Sequence, residues 1–512
     1  MATIIEKVAE SLEQLKQLQD AENFVVLHGT EQLSRVHLTR LLQEGWLKEV
    51  VKGWYIASRP GMEGDTTDWY TSFWAFMSKY CATRFGKKWS LTAEQSLDLH
   101  SGNTTVPIQT IIRNPDGNNN VTSLLYGTSL FNLKAKLPSS IYTHPEFGVQ
   151  MYTLAEALVF VSPTYFRQNP ISARTCLQMV KDESEIYGIL ADEGASTRAG
   201  RLVGAFRNIG RDKIANNILG LMKRLGYDVR EEDPFEDKVE SISPFPVSPY
   251  VARISLMWSK MRQAIINNFP SPSSEPIDIN QLLKQLDDKY TEDAYHSLSI
   301  EGYKVSDELI EKVKSGNWNP KEEDKEAHNA LVARGYYQAF QAVKNTIAKI
   351  VEGTVAGTAV DDDHGNWYFE MWQPMVAAGI YKPSAIVGYR NRPVYIRGSR
   401  HTPMNYEAVR DAIPEYFRLL REEKHPAVRA ILGHFLFSFI HPYNDGNGRM
   451  SRFIMNTMLS TGGYSWTIIP VERRDYYMQT LEKASIEGDI TDFTKLIADL
   501  LSVKTRSNQS SI

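Results

Sequence analysis

The stretch His441–Arg452, which reads HPYNDGNGRMSR, decides the fold of the C-terminal half of this chain. Before it lies Ala430–Ile440, an apolar run that predicts a helix buried at the centre of a bundle. Pro442 prevents that helix from continuing regularly, and the glycines on either side of Asn447 favour a loop with unusual backbone angles. We expect a new helix to open at Arg449.

The same stretch carries the residue types that phosphoryl-type transfer needs. The glycine-rich segment Gly446–Asn447–Gly448 before a helix N-terminus predicts an anion site, because backbone N–H groups converge there. Arg449 and Arg452 are three residues apart, share one helix face, and favour a polyphosphate through bidentate bonds. Asp445 would repel that anion unless a hard divalent cation, most often Mg²⁺, bridged the two. The imidazole of a histidine ordinarily titrates near neutral pH, so we expect His441 to take the proton of an attacking hydroxyl.

Each of these residues alone would fit an ordinary turn between two helices, but the ordered string does not. It resembles the Fic family motif HPFx(D/E)GNGRxxR at every fixed position except Tyr443, which replaces phenylalanine and keeps an aromatic ring. The resemblance extends over roughly residues 250–505. It implies a mostly α-helical Fic-type bundle that transfers AMP from ATP to a Ser, Thr or Tyr hydroxyl of a target protein, including itself.

The resemblance also implies residue roles. His441 is then the general base, Asp445 the Mg²⁺ ligand, and the amides of Gly446–Asn447–Gly448 hold the phosphates. Arg449 and Arg452 hold the β and γ phosphates, and the target oxygen attacks the α-phosphorus. The Doc-like kinases of this fold have a lysine in place of the second glycine, so Gly448 favours AMP transfer over phosphorylation.

Two further segments resemble parts of Fic enzymes that border the nucleotide. Gly388–Arg390 and Val394–Ser399 (VYIRGS) are similar to the β-hairpin flap that aligns the target segment, which adds Tyr395, Ile396, Arg397 and Gly398 to the expected site. The segment RRDYY is similar to the helix on the adenine side and adds Tyr476 and Tyr477, for which buried packing is the alternative. We expect His434 in the preceding apolar helix to be a core residue.

The segment Ser297–Gly302 reads SLSIEG and resembles the family's inhibitory helix, [S/T]xxxE[G/N], expected here near residues 290–302. An ordinary helix end with Gly302 as a stop signal is the alternative. The resemblance implies that Glu301, one helical turn after Ser297, pairs with Arg452 and denies it to the γ phosphate. Glu301 could also activate water for removal of AMP.

The N-terminal region, residues 1–60, has the order expected of a winged helix. Its segments are a helix over 3–20, a strand at Phe24–Leu27, a helix over Leu33–Glu44 capped by Ser34, and a hairpin over Val50–Ile56 with Gly53 at the turn. This resembles the winged-helix domains of AbiEi-type antitoxins. Arg35, Arg40 and Lys52 are the candidate DNA contacts, and a structural or partner-binding role is the alternative.

The rest of the chain divides by composition. Residues 61–230 mix β-rich pieces with helical ones such as Gly200–Leu225 and resemble the α/β body of the same antitoxin-like proteins. Residues 231–249 are acidic and proline-rich, so we place a linker there. The predicted Fic domain follows over 250–505.

The overall composition indicates which partners and which cellular compartment to expect. The 512 residues carry a net charge of −4, so no global attraction to nucleic acid or to an anionic membrane is expected. Cys81 and Cys176 lie outside any CxxC pair, which argues against zinc sites and disulfides and favours a reducing cytoplasm. No stretch resembles a signal peptide, and the longest apolar run falls short of the roughly 20 residues of a membrane span.

Two other functions stay open at this level. One is a DNA-binding transcriptional regulator or antitoxin-like protein whose Fic core is a sensor. The other is transfer from another donor, such as a UMP, GMP or phosphocholine donor. ATP and a protein hydroxyl are the expected partners, DNA is a candidate through the winged helix, and a homodimer is left open.

Overall fold

The computed structural model describes residues 4–21, 26–29, 32–61, 65–238, 248–316 and 327–509. The chain divides into two compact units, one formed by Met1–Arg253 with Tyr395–Thr402, the other by Ile254–Val394 with Pro403–Ile512. The finer division into four segments stays a prediction. Residues 239–247 of the predicted linker lie outside the described residues.

The first elements of the chain are α1 (Ile4–Ala21), β1 (Val26–His28), α2 (Arg35–Gln43), β2 (Leu47–Val51) and β3 (Trp54–Ala57). The strands form an antiparallel sheet in the order β1-β3-β2. Ser34 caps α2 by accepting from the His37 amide at 3.4 Å, and Gly53 has φ +82° at the hairpin turn. The winged-helix assignment stays a prediction, and Phe24 and Val25 of its first strand lie outside the described residues. The small core of this region consists of five leucines: Leu15, Leu33, Leu38, Leu41 and Leu47.

The rest of the first unit mixes helices with small sheets. Its helices are α3 (Thr67–Phe85), α4 (Ala93–His100), α5 (Leu154–Phe160), α6 (Pro163–Gln168), α7 (Pro170–Met179), α8 (Ser184–Glu193), α9 (Ser196–Asn208) and α10 (Asp212–Arg224). Its strands are β4 (Ser90–Leu91), β5 (Gln109–Asn114), β6 (Asn120–Ser123), β7 (Ser129–Lys134), β8 (Ile141–Thr143) and β9 (Gln150–Tyr152). One sheet has the order β4-β5-β7-β6 with β5 and β7 parallel, and β8 pairs with β9. The predicted helix over Gly200–Leu225 is two helices, because Gly210 takes φ +74° between them.

From Pro249 onward the described chain is mostly helical, as predicted. The helices are α11 (Pro249–Asn268), α12 (Ile279–Ile300), α13 (Asp307–Lys314), α14 (Ala327–Val351), α15 (Ala356–Ala377), α16 (Val409–Glu422), α17 (Pro426–Ile440), α18 (Asn447–Ser460), α19 (Arg474–Glu487) and α20 (Thr491–Gln509). In the second unit α14 packs along α15, and α17 packs along α18.

The predicted inhibitory segment is the end of the long helix α12. Its last turn closes by a Schellman motif: the Tyr303 amide donates to the Leu298 carbonyl at 3.1 Å, and the Gly302 amide to the Ser299 carbonyl at 3.0 Å. Gly302 takes φ +91°, which glycine adopts without steric cost. Glu301 is therefore held at a fixed position directly before this turn.

The predicted β-hairpin flap is not formed, since no strand lies between 388 and 399 in the described part of the chain. Its backbone groups have other partners: within the first unit the Gly398 amide donates to Thr67 Oγ1 at 3.1 Å, and the Arg400 carbonyl accepts from the Val106 amide at 3.0 Å. Pro393 also lacks the N–H that a strand ladder needs. The segment is consequently an irregular loop.

Within the described residues, every helix is too short or too polar to cross a lipid bilayer. Cys81 and Cys176 are both buried as free thiols.

Candidate active site

Helix α17 brings the loop 441–446 out of the core of the second unit. The helix is buried along nearly its whole length, and His434 is 0% exposed. His434 Nε2 lies 2.7 Å from the Tyr477 hydroxyl, and burial lowers the pKa of His434 to about 3. His434 is thus a neutral core residue, as expected.

The loop after α17 is closed by the side chain of Asn447. Its Oδ1 accepts from the Tyr443 amide and its Nδ2 donates to the Tyr443 carbonyl, both at 2.9 Å. The Tyr443 ring stacks on Tyr368 with the ring centres 3.7 Å apart. Helix α18 begins at Asn447, two residues earlier than predicted. The amides of Asn447 and Gly448 therefore belong to its first turn, where backbone N–H groups have no partner within the helix. This gives the predicted anion site its backbone donors.

His441 occupies the end of α17 in the left-handed conformation, with φ 54° and ψ 59°. A residue other than glycine held there costs of order 1–3 kcal/mol and marks a position under functional constraint. His441 Nδ1 lies 3.1 Å from the Ser438 carbonyl, a pairing that assigns the proton to Nδ1 and leaves Nε2 as an acceptor. Burial lowers the pKa of His441 to about 4, against smaller opposing effects of the Ser438 carbonyl and of the charges on Asp445 and Glu301. The ring is therefore neutral at physiological pH.

Arg390 holds the backbone on which His441 sits. Its Nε donates to the His441 carbonyl at 2.8 Å, its amide donates to the Pro442 carbonyl at 2.9 Å, and its Nη2 donates to the Met404 carbonyl. The side chain is 1% exposed. The sequence interpretation placed Arg390 in the flap, whereas in the structure its hydrogen bonds hold the loop that contains His441.

Arg449 is a buried cation with unpaired donors. It is 1% exposed, and its Nε and Nη1 atoms have no hydrogen-bond partner within the described part of the chain. Its guanidinium carbon lies 4.7 Å from the ring centre of Trp372 and 5.3 Å from that of Tyr303, which are cation–π distances. Because an unsatisfied buried cation is costly, the arrangement fits an anionic ligand.

Arg452 is occupied by the end of α12. Its Nε donates to Ser297 Oγ at 2.9 Å, and its Nη2 donates to the Ser297 carbonyl at 3.1 Å and to Glu301 Oε1 at 2.7 Å. Burial alone would lower the pKa of Arg452, but the charge and hydrogen bond of Glu301, together with the effects of Tyr477 and Tyr336, raise it overall. The Nη1 atom of Arg452 has no hydrogen-bond partner in the described ranges.

Glu301 is the acidic counterpart in this cluster. Burial raises its pKa, but the charges of Arg452 and Arg449 outweigh that effect and lower it, so the carboxylate is ionised at neutral pH. A Cβ atom on Gly448 would collide with Glu301 Oε1 and lie 3.3 Å from Arg452 Nη1. The glycine therefore allows the Glu301 carboxylate to approach the loop, which a lysine at this position would not.

The predicted metal ligand Asp445 is exposed at the tip of the loop, and its Oδ1 accepts from the Gly446 amide at 2.6 Å. In the described ranges no three His, Cys, Asp or Glu side chains cluster as a metal cage would require. One carboxylate still fits Mg²⁺, because that ion is usually held by one or two carboxylates together with phosphate oxygens and water.

The two candidate adenine contacts differ in their surroundings. Tyr477 is 1% exposed beside His434, whereas Tyr476 is 47% exposed. Burial is the main cause that raises the pKa of Tyr477 to about 12. Tyr477 is thus a packing residue of the core, and of the pair Tyr476 is the one accessible to a ligand.

The predicted flap residues Tyr395, Ile396, Arg397 and Gly398 belong to the first unit. There the Arg397 Nε atom donates to Asp65 Oδ2 at 3.1 Å, although the Arg397 side chain is 70% exposed. A nucleotide-binding role for these four residues stays a prediction.

Of the three candidate DNA contacts, Arg35 and Lys52 are exposed. Arg40 instead joins α2 to α1, donating to the Lys7 carbonyl at 2.5 Å and to Ser11 Oγ at 2.7 Å. The packing of the two helices therefore already uses this guanidinium.

Residues 367–459 match the model of the Fic/DOC family. Proteins named protein adenylyltransferase Fic from Drosophila yakuba and Drosophila melanogaster are each 39% identical over 115 residues, which cover 22% of this chain and 23% of theirs. The match thus spans less than a quarter of the length of these relatives. Among solved structures, Fic-1 (residues 134–508) from C. elegans aligns with a TM-score of 0.38 and 17% identity, covering 70% of this chain and 88% of that one. A Fic-domain-containing signaling protein from Bacteroides thetaiotaomicron aligns with a TM-score of 0.34 and 15% identity over 49% of this chain and 92% of that one.

Proposed function

Because residues 367–459 form a Fic/DOC family domain, we propose that this chain is a protein adenylyltransferase. It transfers AMP from ATP to a Ser, Thr or Tyr hydroxyl of a target protein, itself included. The observation that carries the proposal is the group of unpaired donors of Arg449 and Arg452 in the same motif as His441, which we call the anion cradle. Among the described residues, the buried Nε and Nη1 atoms of Arg449 and the Nη1 atom of Arg452 have no hydrogen-bond partners. A polyphosphate supplies the acceptors that these donors need.

In the proposed reaction, Nε2 of neutral His441 accepts the proton of the target hydroxyl. The hydroxyl oxygen forms a bond to the α-phosphorus of ATP, and the bond between that phosphorus and the oxygen bridging to the β-phosphate breaks. Pyrophosphate leaves, and AMP stays on the target. Mg²⁺ bound at Asp445 would neutralise phosphate charge. Arg390 keeps the His441 backbone fixed, so that the imidazole is presented from one position.

We propose that the resting protein is autoinhibited. Glu301 and Ser297 accept hydrogen bonds from Nε and Nη2 of Arg452, so these two nitrogens are withheld from the nucleotide. AMP transfer then requires that Glu301 leave Arg452. The ionised Glu301 also interacts electrostatically with His441. We therefore propose as a second activity that this carboxylate activates water for the removal of AMP.

DNA binding by the N-terminal region, a homodimer and a cytoplasmic location stay predictions made from the sequence. The exposure of Arg35 and Lys52 is compatible with contacts to phosphates.

The proposal is tested with purified Glu301→Gly protein incubated with ATP and Mg²⁺ and examined by intact-protein and peptide mass spectrometry. An AMP adduct on a hydroxyl is expected in this variant and not in Glu301→Gly combined with His441→Ala. An ATP-binding Glu301→Gly protein that modifies neither itself nor any protein of a cell lysate would refute it.

A further inference from the structure

Trp372 places an unpaired indole N–H beside the anion cradle. Its side chain is 2% exposed, and among the residues that the structure describes its Nε1 atom has no hydrogen-bond partner. A Cβ atom on Gly446 would lie 3.3 Å from this nitrogen and 3.4 Å from Nη2 of Arg449. The indole nitrogen and the guanidinium thus border the same space next to the loop backbone.

The packing of two helices fixes the indole in this position. A side chain on Gly335 of α14 would collide with the Met371 carbonyl of α15, so the glycine lets the two backbones approach at the residue before Trp372. Tyr381 packs edge-on against the indole with ring centres 5.4 Å apart. The opposing contact is the Arg449 guanidinium, 4.7 Å from the ring centre.

The chemistry of these groups selects the ligand. An indole N–H can only donate, and a buried donor without an acceptor is destabilising. The neighbouring Nε and Nη1 atoms of Arg449 are also unpaired donors. Several donors facing one space, with a guanidinium among them, call for an anion rich in oxygen acceptors.

We infer that Trp372 is a nucleotide-binding residue whose N–H donates to a β- or γ-phosphate oxygen of ATP while its ring fixes the plane of the Arg449 guanidinium. The inference rests on the proposed function, since it names a donor of the same site. Trp372 then contributes to the affinity for ATP and not to that for AMP, which lacks the two outer phosphates.

Calorimetry on the Glu301→Gly protein with and without Trp372→Phe tests this assignment, with ATP and AMP as probes in the presence of Mg²⁺. Phenylalanine keeps an aromatic ring and removes the N–H. Loss of a hydrogen bond to a charged group predicts a rise of about tenfold or more in the Kd for ATP. The Kd for AMP should change less than about twofold, because AMP has no partner for this donor.

Trp367→Phe in the same background is the matched control. Trp367 lies in the same helix and is 0% exposed, but its N–H donates to Thr346 Oγ1 at 3.0 Å. Its replacement should lower thermal stability and leave the affinity for ATP unchanged. Trp372→Phe should lower the affinity for ATP. It should affect thermal stability less than Trp367→Phe does, since it removes no hydrogen bond made among the described residues.

Nuclear magnetic resonance of the ¹⁵N-tryptophan-labelled protein observes the indole N–H of Trp372 directly, without a substitution in the core. The indole resonance that disappears in Trp372→Phe is that of Trp372, and ATP with Mg²⁺ should shift it while AMP does not. An unmoved resonance together with an unchanged Kd for ATP in Trp372→Phe overturns the inference and leaves the proposed function standing. A Trp372-dependent affinity for ATP without AMP transfer keeps the inference and refutes the function, and failure of the Glu301→Gly protein to bind ATP refutes both.

Discussion

Replacing Glu301 should release the catalytic machinery, and the structure sets the size of the effect. The Glu301–Arg452 pair has an N···O distance of 2.7 Å, with side chains 27% and 5% exposed. With charge centres about 4 Å apart and an effective dielectric constant of about 20, the attraction is about 4 kcal/mol. Desolvation of the two charges offsets part of this attraction. With a net stabilisation of about 2 kcal/mol, the pair is broken, and Arg452 available to ATP, in about 3% of the molecules. Glu301→Gly should therefore raise the rate of AMP transfer about 30-fold.

The assay is the initial rate of self-modification with α-labelled ATP for the wild type, Glu301→Gly and Glu301→Gln. Glutamine keeps the side-chain length but removes the charge, so a smaller rise is expected. Asp288→Asn, which neutralises an exposed carboxylate of the same helix, is the control and should match the wild type. Equal rates for the wild type and Glu301→Gly, at saturating ATP, would refute the inhibitory role of this pair.

Three further perturbations test the loop that carries the base. Because the pKa of His441 is lowered to about 4, the ring stays neutral when the pH falls to about 5.5. The value of kcat/KM for the Glu301→Gly protein should therefore be constant from about pH 8 to about pH 5.5. A tenfold loss of kcat/KM by about pH 5.5, as expected for a histidine with a pKa of ~6.5, would contradict this. Arg390→Met should lower kcat at least tenfold with little change in KM for ATP, because it frees the His441 backbone and touches no phosphate; a rise in KM alone would count against a positioning role. Asn447→Ala should destabilise the second unit by about 2–4 kcal/mol, because the buried amide and carbonyl of Tyr443 both lose their partner, and an unchanged unfolding transition would contradict the bridge described above.

The local features of the fold could be predicted from the sequence because neighbouring residues determine them. The apolar run before His441 predicted a buried helix ending at Ile440, and α17 ends there. Ser34 as a helix cap and Gly53 at a hairpin turn followed from side-chain and backbone preferences alone. The start of α18 was predicted two residues too late, because glycine and asparagine were assigned to the loop although both can open a helix.

The flap was predicted wrongly, because a β-hairpin depends on which backbone groups meet and not on the segment alone. Val394–Ser399 has strand-forming residues, yet the Gly398 amide pairs with the Thr67 side chain. No pattern within the segment reports such a partner, which is more than three hundred positions away in the chain.

The site residues that the sequence missed act across long separations. Trp372 meets Arg449 from another helix, and Arg390 reaches the His441 carbonyl from a loop. Tyr303 follows the recognised inhibitory segment, but only the Schellman turn at Gly302 brings its ring towards Arg449. A short motif identifies the residues it contains, whereas these three are defined by tertiary packing.

The central claim is that the cradle beside His441 positions ATP for attack at the α-phosphorus. The most direct measurement incubates the Glu301→Gly protein in parallel with α-labelled and γ-labelled ATP and follows the label in protein. Protein-bound label is expected from the α position only, and it should be lost on His441→Ala. Label that reaches protein from the γ position and not from the α position would contradict it and make the protein a kinase.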